Sequence, residues 1–337
     1  MSNKTRYFVA VTGAILAIGL GTGLVASYVG LPVSVFTSAA GPEELEYVPA
    51  DAAVVAYANV REVMSSDLRK RFTEMEPTQE HKNEFEEATG LNFEQDIDTV
   101  VAAMMPKTSM ANPEGAFLIL AKGRFQAARL EALALEHGAT VADYQGKRLI
   151  THHDADNAND TKHDDMAVGF VEADLIAFGS VTSVQAAIDA RRENRNIVGN
   201  IEMMRLVSEL DNANAWAVGR FDAIAGQAGL PTEIASQMPA ISWFSAAGHI
   251  NGGVSAVLKA ETKDETSAQN LRDVLKGLLA LAKMQAGSKP GMQQLADSLV
   301  LSGEGKNVAL SFSVPSEVLD VLEGLAKGRK GIRAAIH

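Results

Sequence analysis

Hydrophobic and polar positions divide this chain into an apolar leader, a broken linker and a long body of short alternating segments. Between Arg6 and Glu43 no residue is charged. The stretch FVAVTGAILAIGLGTGLVASYV at the heart of this run is long enough to span a bilayer core, which takes about 20 apolar residues as helix. Lys4 and Arg6 precede it, and Glu43, Glu44, Glu46 and Asp51 follow it. The basic end therefore stays in the cytoplasm. The pattern predicts a single-pass signal-anchor over residues 1–30, with residues 8–29 in the cytoplasmic membrane and residues 31–337 extracytoplasmic, in the periplasm. A cleaved signal peptide has an apolar region of about 7–15 residues. The longer run here favours retention, whereas Ser38-Ala39-Ala40 before Gly41 suits a signal peptidase. Cleavage after Ala40 therefore stays an open alternative. Gly19 and Gly23, like Ala17 and Gly21, are four apart, a spacing that lets two membrane helices approach closely. Glycine is also simply common in such helices. A dinucleotide fingerprint would need a strand before these glycines and a helix after them; one continuous apolar run excludes it.

Residues 31–50 read as a tether, because Pro32, Gly41, Pro42 and Pro49 interrupt regular structure. From Ala53 onward the alternation predicts similar elements twice over. AVVAYANVREV (53–63) matches NAWAVGRFDAI (214–224), each a strand leading into a helix. IDTVVAAM (97–104) parallels ISWFSAAG (241–248), and GAFLILAKG (115–123) parallels GGVSAVLKAE (252–261). Helices follow in both copies. The first, FQAARLEALALEH, closes at Gly138; the second, TSAQNLRDVLKGLLALAKMQA, closes at Gly287 with Pro290 beyond. Leu271, Val274, Leu275, Leu278 and Ala282 fall at helical spacing. KRLITHH with MAVGFVEA, and SLVLSG with NVALSFSV, read as strand pairs. FGSVTSVQAAI (178–188) matches FSVPSEVLDVL (312–322), with Thr182 and Ser316 as helix N-caps.

The predicted fold class is α+β. An N-terminal transmembrane helix precedes two tandem duplicated mixed units, with mainly antiparallel sheets and helices packed on one face of each. The predicted divisions are an anchor over 1–30, a linker over 31–50, a first unit over 51–200, and a second over 201–337 with a short basic tail. Acidic EMEPTQEHKNEFEEATG (74–90) reads as an exposed helical insertion.

Composition narrows the function. All 42 acidic residues follow residue 30, with 28 of the 30 Lys and Arg, so the body carries 14 net negative charges. Nucleic-acid binding demands phosphate-neutralising cations and is excluded as a partner class. There is no cysteine, which removes disulfides, thiolate nucleophiles and cysteine metal sites together. Hydrolase signatures are missing as well: no G-x-S-x-G elbow and no H-E-x-x-H helix. Gly303-Glu304-Gly305-Lys306 lacks phosphate-loop spacing and reads as a hairpin turn. Trp216 and Trp243 occupy equivalent strands of the second copy and read as core.

Three short segments carry a resemblance: Tyr47-Val48-Pro49-Ala50-Asp51-Ala52, Tyr144-Gln145-Gly146-Lys147 and Phe178-Gly179-Ser180. With the anchor and the strand order, they make most of residues 45–325 resemble membrane-anchored extracytoplasmic bacterial proteins grouped as a domain of unknown function. The resemblance implies location and architecture. It brings no catalytic or cofactor-binding residues.

The densest polar cluster is HHDADNANDTKHDD, residues 152–165. His152, His153, Asp154, Asp156 and His163 are candidate ligands for zinc, nickel or copper, since imidazole and carboxylate suit those ions. As a calcium loop the segment fails: Ala158 stands at the fifth position, Asn159 at the invariant glycine and Asp165 at the bidentate glutamate. Asp and Asn are also turn formers that keep a sheet end soluble. His249, before Asn251-Gly252, reads as a strand end. Three functions remain: a tethered non-catalytic module binding a protein or envelope partner, a metal-binding protein or enzyme using loop 152–165, and a carrier of lipid or another hydrophobic ligand. The turn-forming character of the loop favours the non-metal reading. It predicts that the purified protein binds no divalent ion more tightly than on the order of micromolar. Stoichiometric metal, lost on replacing His152, His153 and His163 with Ala, would establish the metal reading.

Overall fold

Strand β1, Val54–Asn59, sets the plan of the fold, because it is hydrogen-bonded along both edges. The computed structural model describes residues 41–66, 86–87, 89–106, 116–152, 166–210, 213–223, 240–250, 253–286 and 290–315. On one side β1 pairs with β2 (Ile97–Met104), which pairs with β3 (Phe117–Gly123). Then come β7 (Leu175–Ser180), β6 (Met166–Glu172), β5 (Lys147–His152) and β4 (Thr140–Tyr144). On its other side β1 pairs with β8 (Ala215–Arg220). Beyond lie β9 (Ile241–Ile250), β10 (Gly253–Thr262), β12 (Asn307–Pro315) and β11 (Val300–Ser302). Among the described residues the result is one 12-stranded sheet in which every neighbouring pair is antiparallel.

This corrects the predicted fold class. The body is not two units with a sheet each; β1 and β8 join everything into one sheet. The physical reason is edge pairing. The first strand of each half would otherwise expose a row of unpaired N–H and C=O groups, and joining the two removes both edges. The predicted transmembrane helix lies outside the described residues. Among those described, no helix is long and apolar enough to cross a membrane.

Helices cover both faces of the sheet, which corrects the one-face expectation. On the first face Val55, Val101, Leu118, Leu120 and Ala177 meet the 3-10 turn Glu43–Tyr47, α4 (Val181–Arg192) and α5 (Ile201–Ser208). On the second face Val100, Ile119, Ile176 and Phe178 meet α1 (Val60–Ser65) and α2 (Phe93–Asp96). Register carries that second face across the seam, through Ala102, Ala56, Ala217, Ala246, Leu258 and Leu310. Two residues along from the last of these, Ala260 and Val308 receive the long helix α6 (Glu265–Ala286). Helix α3 (Ala127–Glu136) follows β3, and α7 (Pro290–Ser298) follows α6. Central strands buried on both sides explain the near-continuous apolar run of FLILA in β3.

Local signals mostly hold, with shifts. Gly138 sits at φ +85 just beyond α3, as a helix-ending glycine does. The cap of α4 is Ser180 rather than Thr182: its hydroxyl accepts from the Ser183 N–H at 3.2 Å. The GEGK segment is a hairpin turn joining β11 to β12, and it corresponds to the turn between β6 and β7. Its Gly303 and Gly305 have φ +104 and +55. The packed chain also begins before Ala53, since Leu45 and Val48 are fully buried. Most of the predicted acidic insertion 74–90, Ser316 and the basic tail lie outside the described residues.

Gly179 is where β7 turns into α4, and a Cβ there would sit 2.5 Å from the Phe117 carbonyl oxygen. Backbone cannot yield as a side-chain end can. Gly179→Ala is therefore predicted to destabilise the protein by about 1–3 kcal/mol, read as a lower urea midpoint at unchanged slope.

Candidate functional site

The predicted metal loop is represented by a single residue. His152 ends β5 opposite Met166, while His153, Asp154, Asp156 and His163 lie outside the described residues, with Asp160, Asp164 and Asp165. Among the described residues no group of three or more His, Cys, Asp or Glu could hold a metal ion. His249 stands on β9 opposite Ser255.

The structure does bring other polar residues together, around the C-terminal half of α4. The β4–β5 hairpin turns through Gln145 and Gly146 at φ 54 and 76, the left-handed pair that a tight two-residue hairpin requires. That turn places Tyr144 beside α4, where its hydroxyl donates to Asp189 Oδ2 at 2.7 Å. Arg192 reaches back to Gln145 Oε1 at 2.6 Å. Arg191 pairs with Glu46 and lies over the Tyr47 ring, 5.9 Å from its centroid. Tyr47 in turn donates to Glu172, which Lys147 approaches at 3.6 Å. The Tyr47, Tyr144-Gln145-Gly146-Lys147 and Phe178-Gly179-Ser180 segments thus converge on one helix. Ser180 caps its start, and the two tyrosines lie against its end.

The electrostatics of this cluster are those of a clamp. Burial pushes the Tyr47 phenol well above its ordinary range, and the bond to Glu172 adds to the shift. The Tyr144 phenol is raised first by its bond to Asp189. Both phenols therefore stay protonated as donors near neutral pH, and the carboxylates they serve are held by cations as well. Asp189 Oδ1 makes no hydrogen bond, although Arg192 stands 3.7 Å away. The arrangement ties the N-terminal turn, a hairpin and a helix into one surface, and it assembles no nucleophile with a general base.

A second polar group sits at the seam between the sheet halves. The ring of Tyr57 on β1 stacks on Trp216 of β8, with centroids 5.5 Å apart and planes 24° apart. Trp216 is core, as predicted from its strand; Trp243 is partly buried against the same cluster. Glu44 is only 4% exposed, and Thr99 donates to it. Sequence reasoning placed Glu44 in a solvated linker and missed it. Burial raises the Tyr57 phenol to about 12, helped by the negative charges of Glu44 and Glu62.

No family model matches the chain, and no curated protein matches it. A solved structure titled "Structure of crystal form I of TP0453" is similar, with a TM-score of 0.43 and 12% sequence identity, over 85% of this chain and 98% of that one. A likeness at that level carries no argument about function.

The raised phenols give a pH prediction. An ordinary tyrosine ionises near pH ~10. Below that, folded and unfolded chains both keep the Tyr57 proton, and its contribution to stability is fully present. Between there and about 12 the unfolded chain loses the proton while the fold retains it, so stability falls as pH rises. Urea midpoints measured upward from pH ~9 should decline, and Tyr57→Phe, which keeps the ring stack, should flatten part of that decline.

Proposed function

We propose that this chain is a non-catalytic binding or scaffold module, held at the periplasmic side of the cytoplasmic membrane by residues 8–29, with a protein or envelope component as its partner. The observation that carries the reading is the charge pattern of the leader: Lys4 and Arg6, then no charge until Glu43. An uncharged run of that length is stable across a bilayer, and its flanking charges orient it. The body that follows is acidic and lacks cysteine, so its sheet and core hold it together without bridges.

Two features of the fold support a binding role. The sheet is long, and it ends in β4, a strand whose outer edge pairs with no other described strand. The clamp around α4 fixes the β4–β5 hairpin at that end, which gives the edge a defined shape.

Location is tested by fusing a reporter to the carboxyl end. The reading predicts activity only outside the cytoplasm, and retention of the full chain in membranes washed with high salt. A reporter active only in the cytoplasm would reject it. Partner capture from gently solubilised membranes then tests binding. One abundant co-purifying component is expected, reduced when Tyr144→Phe and Arg192→Ala together release the hairpin from α4.

A further inference from the structure

Helix α6 spans 22 residues and is therefore about 33 Å long. Its first half behaves as a core helix: Ala268 and Leu271 are buried, and with Leu275 they pack on Ala260, Leu301 and Val308. Its second half does not. Leu278, Leu281 and Met284 are 38%, 53% and 77% exposed. Spaced three apart, they occupy one arc of about 120° on the helix. Scattered single apolar residues at a surface need no explanation, but a stripe of large ones on one helix marks a docking surface.

Charge identifies what docks there. Between Asp273 and Asp297 the chain holds Lys276, Lys283 and Lys289 and no acid, although it carries a net −12 overall. Lys276 lies 3.2 Å from Asp273, and Lys283 lies 3.4 Å from Asp297. All four side chains are 47% or more exposed, and such pairs exchange partners at little cost. An apolar stripe flanked by lysines in an otherwise acidic protein is the pattern of a helix lying in the interface of an anionic bilayer. A second copy of this chain is a poorer occupant, since two such stripes in contact would bring like-charged lysines together. Reach permits the bilayer: a chain of ten residues, the length of 31–40, can span about 33 Å between the leader and the fold.

We propose that the C-terminal half of α6 docks on the headgroup region of the anionic membrane that holds residues 8–29; this deepens the tethered reading and rests on it. Leu278, Leu281 and Met284 enter the headgroup–acyl boundary, while Lys276 and Lys283 meet lipid phosphates. The bilayer then fixes the orientation of the sheet and leaves the β4 end facing away.

The absence of native cysteine makes the test direct. Full-length protein carrying Met284→Cys, labelled with an environment-sensitive fluorophore, is reconstituted into vesicles of phosphatidylcholine and phosphatidylglycerol. Ala142→Cys, exposed on β4, is the control. Lipids bearing a quencher near the headgroup should quench the Met284→Cys label at least threefold more than the control. Adding Leu281→Glu should abolish the difference, as should vesicles of phosphatidylcholine alone. Equal quenching of both labels in protein that floats with the vesicles overturns the docking while leaving the tether intact. Disulfide-linked dimers through Met284→Cys at low protein density would assign the stripe to a second copy and overturn it as well. Protein that does not float rejects the tether, and the proposal with it.

Discussion

The pairing of β1 with β8 is the constraint on which the rest of this structure depends. Five residue pairs, from Val54↔Gly219 to Ala58↔Ala215, join two half-sheets into one. The seam is tied at both ends, by Arg220 N–H to the Ala53 carbonyl at 2.8 Å and by Asn59 N–H to the Asn214 carbonyl at 2.7 Å. Its centre carries the Tyr57–Trp216 stack. Gly219 allows the approach: a Cβ there would lie 2.6 Å from the Ala53 oxygen and 2.8 Å from the Val54 Cα. Each aromatic ring gains its partner only when the strands pair, so hydrogen bonding and burial reinforce each other at this point.

The rest is organised outward from that seam. The N-terminal turn packs over the first face with Leu45 and Val48 buried, and it brings Glu44 to Thr99 on β2. The same turn extends Tyr47 and Glu46 toward α4, so the polar clamp is fixed to the central sheet at one end. At its other end the clamp holds the β4–β5 hairpin through Tyr144 and Arg192. On the far side of the seam, α5 is tied to β10 by Arg205, which bonds Glu261 at 2.8 Å and Glu209 at 3.0 Å. The long helix α6 covers the opposite face there with its first half only.

Much of this was legible in the residues. Alternation identified the strands of both halves, because a half-buried strand imposes a period of two. Gly138 marked an element end through a backbone rule that needs no tertiary context. The joining of the halves was not legible. Register between β1 and β8 depends on pairs far apart in the chain, Val55 with Val218 and Ala56 with Ala217, and no local pattern encodes which edges meet. Burial of Glu44 was hidden for a similar reason: its partner Thr99 is 55 residues away. The α4 cap was misplaced by two residues because Ser180, Thr182 and Ser183 all offer hydroxyls. Of the candidate metal loop, only its first histidine falls within the described chain. The clamp was legible in pieces, as Tyr47, the Tyr144 hairpin and the Phe178-Gly179-Ser180 strand end, but their convergence on one helix is a property of the fold.

A continuous sheet makes the two halves one cooperative body. The most direct measurement is hydrogen–deuterium exchange of the full chain in rising urea, followed in peptides covering 54–59 and 215–220. The account predicts that these peptides are among the slowest to exchange and that they lose protection together at one urea concentration. Loss of protection in one strand while the other remains closed would show that the halves unfold separately, and would contradict the account.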